Sequence, residues 1–131
     1  DTVDSLKASL RIFIPMTEKM SFNKEKMAKA AKLGFSTATD MADYLVRKGI
    51  PFREAHHAVG SAVAYALEKG KDISELSLNE LKAFSEKIDD DIFSYITPEA
   101  SVNSRKATGG TAGESVKTQI ESVRKFLDEV L

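Results

Sequence analysis

Two adjacent histidines, His56 and His57, are the only imidazoles in the chain and the first place to look for chemistry. Neighbouring residues on a helix point to different sides, so the pair cannot form the i, i+4 metal face of an H-E-x-x-H site. Glu54 lies close in sequence, but one carboxylate beside two divergent imidazoles is a poor ligand set. The expectation is that one histidine packs at a helix contact and the other is solvated. Asp89, Asp90 and Asp91 form an acidic run without the alternating oxygen ligands and distal Glu of a calcium loop, so they read as the capped, solvated start of a helix. Ser104-Arg105-Lys106-Ala107-Thr108-Gly109-Gly110-Thr111 has the composition of an anion-binding turn, with glycines and two cations ahead of a helix. It lacks the full G-x-x-x-x-G-K-[ST] pattern and no strand leads into it, so a structural turn is favoured over a ligand loop. Arg47, Lys48 and Arg53 sit on a helical corner that could mimic a DNA-reading helix-turn-helix. Glu54 and Glu68 share the would-be recognition helix, and few side chains there could read base edges. No Ser/His/Asp arrangement is visible.

The elements that must hold these residues are all helical. Val3, Leu6, Leu10, Phe13, Ile14 and Met20 recur at helical spacing, predicting a helix over about 2–20, roughly 28 Å long, with a kink or break at Pro15. So apolar a first helix needs a partner; its face should be exposed, frayed or buried in a non-native dimer. Asn23 offers a cap for a short helix from Lys24 to Lys32, closed by Gly34. Thr37 or Thr39 caps a third helix burying Met41, Ala42, Leu45 and Val46 and ending at Gly49. Pro51 opens a fourth that buries Phe52, Ala55, Val59, Ala62, Val63, Ala66 and Leu67 and stops at Gly70. Ser77-Leu78-Asn79-Glu80 is a capping box for a fifth, with Leu78, Leu81 and Phe84 inward. A further turn or two follows the aspartates through Ile92, Phe93, Tyr95 and Ile96 until Pro98 interrupts it. Thr111-Ala112-Gly113-Glu114 reads as a second capping box, before a last helix with a narrow stripe of Val116, Ile120, Val123, Leu127 and Val130 reaching Leu131.

Composition sets the class. The 131 residues suffice for one domain, or one small domain with an appendage. Apolar residues are 42% and charged residues 30%, with 19 basic against 20 acidic, which argues against nucleic acid or an anionic membrane as the main partner. Cysteine is absent, so disulfides and thiolate metal sites are excluded. No run approaches the roughly 20 apolar residues of a membrane span, and Asp1-Thr2-Val3-Asp4 is not a signal peptide start. The expected compartment is the cytoplasm. The lack of an initiator Met hints at a cut start.

The stretch from Ser36 to His56 carries an A-T-D-x-A-D-Y-L-V-R-K-G-x-P-F-R core. It closely resembles the start of the C-terminal domain of argininosuccinate lyases, in the fumarase/aspartase superfamily. The resemblance continues through Val59-Gly60, Ala62-Val63, Leu76 to Leu81, Pro98 to Val102 and Gly109-Gly110-Thr111-Ala112. Upstream, Leu6-Lys7-Ala8-Ser9-Leu10 is similar to the tail of that family's long central helix. The resemblance implies an all-α fold: residues 1–22 as the end of a central helical bundle, and 23–131 as a small C-terminal domain of helical hairpins. It implies a parent homotetramer that cleaves argininosuccinate to arginine and fumarate by β-elimination, with no cofactor or metal. The serine loop, Gly-Ser-Ser-x-Met-Pro-x-Lys-x-Asn-Pro, and the catalytic histidine segment are not in this sequence. No catalytic, cofactor-binding or metal residue is therefore carried over, His56 and His57 included. The expectation is an enzyme part with a structural job, inactive alone, its substrate held mainly by absent regions. A stand-alone helical interaction module and a DNA-binding domain are the competing classes.

Overall fold

The computed structural model describes residues 1–130, and every described element is helical. The chain divides into two compact units, Asp1–Ala30 and Ala31–Leu131.

The first unit holds α1, Thr2–Glu18, and most of α2, Lys24–Ala31. Pro15 does not break α1, which runs on to Glu18 and stops short of Met20. A proline lacks the N–H that would bond the carbonyl four residues back. On an exposed helix water can serve that carbonyl, and the Thr17 hydroxyl donates to the Phe13 and Ile14 carbonyls at 2.9 and 2.8 Å. No residue of α1 is buried, and the face of Val3, Leu6, Leu10, Phe13 and Ile14 lies open. Asn23 caps α2 as its sequence requires, its Oδ1 accepting from Lys26 N–H at 3.0 Å.

The second unit is built on a helical hairpin. α3 (Ala38–Arg47) packs against α4 (Phe52–Glu68). α3 ends where Gly49 takes φ +89°, which lets Ile50 N–H reach the Leu45 carbonyl at 3.0 Å in a Schellman closure. α4 ends the same way at Gly70, with Lys71 N–H on the Ala66 carbonyl at 2.9 Å. The buried surface of α4 is Ala55, Val59, Ala62 and Ala66; three of the four are alanines, whose methyl side chains leave room for Met41, Tyr44 and Leu45 in the same core. Tyr44, rather than Val46, completes the buried stripe of α3, because Val46 lies 100° past Leu45 on the far side. Phe52 and Leu67 are also not core residues: they are 64% and 68% exposed. Neither is covered by the described residues.

The rest of the unit closes the core with short pieces. A 3-10 turn at Ile73–Glu75 lies against α4 and buries Ile73; α5 (Leu78–Lys82) buries Leu81; a 3-10 turn at Asp90–Ser94 buries Ile92. Pro98 starts a helix as well as ending a turn. It occupies the first position of α6 (Pro98–Ser104), capped by Thr97, whose Oγ1 accepts from Ala100 N–H at 3.1 Å. α7 (Gly113–Val130) has no buried residue, so its Val116, Ile120, Val123 and Leu127 stripe is open. The expected helix end at Leu131 lies outside the described residues.

The capping box at Ser77 forms in full: Ser77 Oγ accepts from Glu80 N–H, and Glu80 Oε2 accepts from Ser77 N–H at 2.8 Å. The Ser77 backbone N–H, then its hydroxyl and the Tyr65 hydroxyl, hold the Glu80 carboxyl down at about 2 from its usual 4.5. A depressed folded pKa contributes stability that is complete above 4.5 and is lost as pH falls toward 2. Glu80→Gln is therefore expected to flatten the acid limb of the stability curve between pH 4.5 and 2, followed by far-ultraviolet circular dichroism. An unchanged acid limb would show that the cap does not feel this charge.

Candidate functional site

α3 carries two polar clusters, and between them they use Lys48, Asp89, Asp91 and Arg105 of the charged residues flagged by the sequence. The first centres on Tyr44, whose ring is buried by the hairpin while its hydroxyl reaches the acidic run. Tyr44 Oη donates to Asp91 Oδ1 at 2.5 Å and accepts from Asp89 N–H at 3.1 Å. Lys48, one turn on, donates to Asp89 Oδ2 at 2.7 Å and lies 3.7 Å from Asp91 Oδ1; Lys82 adds a contact at 3.8 Å. Burial, followed by the Asp91 hydrogen bond, raises the Tyr44 hydroxyl above its ordinary value. The Asp89 hydrogen bond raises Lys48, and Lys48 in turn lowers Asp89. The aspartates therefore do not cap their own turn: the cap residue Asp89 makes no side-chain cap bond. They are paired across the chain to α3, a signal that no local pattern contains.

The second cluster disposes of the Gly-rich loop. Arg105 Nη2 donates to Asp40 Oδ1 at 3.0 Å, and Nη1 lies 3.8 Å from Asp43 Oδ2. The Asp40 side chain is only 9% exposed, and its Oδ2 is buried with no hydrogen-bond partner among the described residues. Lys106 pairs with Glu114 at 3.2 Å. Both cations that made the loop anion-friendly are thus spent on carboxylates of the same chain. The loop folds on itself: Gly110 N–H donates to the Ala107 carbonyl at 2.7 Å and Ala112 N–H to the Arg105 carbonyl at 3.1 Å. Thr111 does not cap α7. Its hydroxyl donates to the Val102 carbonyl at 3.2 Å, and α7 begins only at Gly113, so the expected second capping box is not formed.

The histidines are apart from both clusters, and both are exposed. α4 turns the two imidazoles to different sides. His56 stacks beside Phe52 with ring centroids 6.1 Å apart, and His57 borders an open hollow with Arg53 and Phe84. Arg47 lies over the Tyr95 ring at 5.8 Å and Lys48 is paired, so the basic corner presents less free charge than its sequence suggests. A cavity of about 570 Å³ opens between the 31–37 segment, Gly70 to Glu75 and Ile96 to Glu99. Of its three carboxylates, Asp72 and Glu75 are held by their own capping box and Glu99 lies in the first turn of α6. Among the described residues no group of three or more His, Asp or Glu is placed to hold a metal ion, and no helix is long and apolar enough to cross a membrane. The polar groups of both clusters fasten α3 to distant parts of the chain.

Residues 35–103 match the family described as Argininosuccinate lyase C-terminal. The argininosuccinate lyase of Syntrophotalea carbinolica is 58% identical over 125 residues, 95% of this chain and 27% of that protein. That of Geobacter metallireducens is 58% identical over 124 residues, with the same coverage. Among solved structures, EDDS lyase in complex with formate superposes with a TM-score of 0.72 at 34% identity, covering 82% of this chain and 23% of that one. An EDDS lyase variant with bound fumarate gives the same values. The chain spans about a quarter of the length of the lyases it matches.

Two substitutions test the fastening role. A Cβ on Gly110 would stand 2.1 Å from the Arg105 carbonyl oxygen and 2.7 Å from that of Ala107, both backbone atoms. Gly110→Ala is expected to open the loop and cost about 1–3 kcal/mol, read as a lowered thermal midpoint. Tyr44→Phe removes the hydroxyl that serves Asp89 and Asp91 while keeping the buried ring. Its expected cost is about 1–2 kcal/mol by urea titration, and no measurable cost would demote this cluster to surface decoration.

Proposed function

The chain belongs to the argininosuccinate lyase family, and on that premise we propose that it supplies the C-terminal helical domain of an enzyme cleaving argininosuccinate to arginine and fumarate. Residues 35–103, which match the family, carry this reading. Residues 1–22 are the end of a central-bundle helix and 23–131 the domain attached to it. The parent is a cytoplasmic homotetramer, and the domain's own contribution is to position and cover, not to react.

The physical support is what the polar side chains are doing. A β-elimination needs a base to take a proton from carbon beside a carboxylate, and an acid for the departing nitrogen. Here Tyr44, Lys48, Asp89 and Asp91 engage one another, Arg105 is paired with Asp40 and Asp43, and the histidines diverge. The open faces of α1 and α7 fit a domain that continues its packing elsewhere.

With argininosuccinate as substrate, the 131-residue chain alone is expected to produce no fumarate above a buffer control by ultraviolet absorbance. Mixed with the complementary region of a related lyase, it should restore turnover. Activity of the chain alone would overturn the structural assignment.

A further inference from the structure

α4 carries a second apolar face that the hairpin borders but leaves largely open. At 100° per residue the apolar arc of α4 runs from Ala58 to Gly60, about 200° in all, twice the width of a stripe that packs on one neighbour. One half, centred on Ala55, Ala62 and Ala66, is buried against the core. The other half is Phe52, Val63, His56, Leu67 and Gly60. Its two ends, Phe52 and Leu67, are each about two-thirds exposed and stand about 22 Å apart along the axis. Between them Gly60 leaves open space where a side chain would be, with no atom within 4 Å of its Cβ position. Beside it a hollow of about 280 Å³ is walled by Ala38 and Ala42 of α3 and Val59 and Val63 of α4. No Lys, Arg, Asp or Glu interrupts this half of the arc.

We infer that this flank of α4 is a docking groove for a helix from the part of the lyase that the chain does not span, crossing α4 at Gly60. The inference rests on the proposed lyase role and names the surface through which that role is exercised. Three features select this face. It lies on a helix whose other half is anchored in the core, unlike α7, which has no buried residue. A glycine between two large apolar anchors admits the backbone of a crossing helix, which a loop or a small ligand does not require. The relatives are nearly four times as long as the stretch matched here, so ample chain exists to supply that helix.

The test uses the 131-residue chain and the complementary region of the Syntrophotalea carbinolica lyase, with association followed by calorimetry and sedimentation. Gly60→Leu fills the groove in open space and removes a helix-weakening glycine, so the variant is expected to keep or raise its thermal midpoint. It should nevertheless bind the complementary region at least tenfold more weakly. Phe52→Ser with Leu67→Ser should weaken it as much with unchanged helicity, whereas Ile120→Ser on α7 serves as the comparison. Wild-type binding retained in Gly60→Leu would overturn the groove and leave the lyase role standing. Failure of the wild-type chain to associate at all would overturn both. A chain dimer abolished by Gly60→Leu would assign the face to a second copy instead.

Discussion

Everything in the second unit depends on how close α3 can come to α4. The approach is set by Ala55, Ala62 and Ala66, whose methyl groups take little room, and by Gly49, whose left-handed conformation turns the chain back at once. With that spacing fixed, Met41, Tyr44 and Leu45 fill the seam. Tyr44 is then held with its ring inside and its hydroxyl at the edge, in position for the acidic run to close on it. Ile88, Ile92 and Ile96 complete the core as Asp89 and Asp91 are drawn to that hydroxyl and to Lys48. A bulkier residue at any of the three alanines would push the seam apart and release the second layer with it.

Local chemistry was legible in the sequence wherever it was settled within four or five residues. Asn23, Ser77, Gly49 and Gly70 do what their types and neighbours require, because capping and left-handed closure involve no distant partner. The all-helical class and the family followed from periodicity and from a resemblance carried by a long, specific stretch. What could not be read was any pairing at long range. Asp89 and Asp91 look like helix-capping residues until Tyr44 and Lys48, more than 40 residues earlier, claim them. Arg105 and Lys106 look like ligands for an anion until Asp40, Asp43 and Glu114 neutralise them.

Burial was misjudged for one consistent reason. Periodicity reports which residues belong on an apolar face but not whether this chain contains what covers that face. Phe52, Leu67, Val116 and Ile120 obey the helical pattern and remain exposed. Their pattern encodes packing that the described residues do not supply. The same logic explains why α1, apolar on most of its sides, buries nothing.

The Asp40–Arg105 pair has a bearing on the order of events as the chain is made. The hairpin is complete once Glu68 has emerged, and in the finished fold the Asp40 side chain beside Arg105 is only 9% exposed. Its counter-charge arrives 65 residues after it in the chain. A carboxylate buried without its partner is costly, so Asp40 reaches its final low-exposure setting only once Arg105, just past α6, has been made. The most local motif of the chain thus completes its polar pairing through one of its most distant contacts.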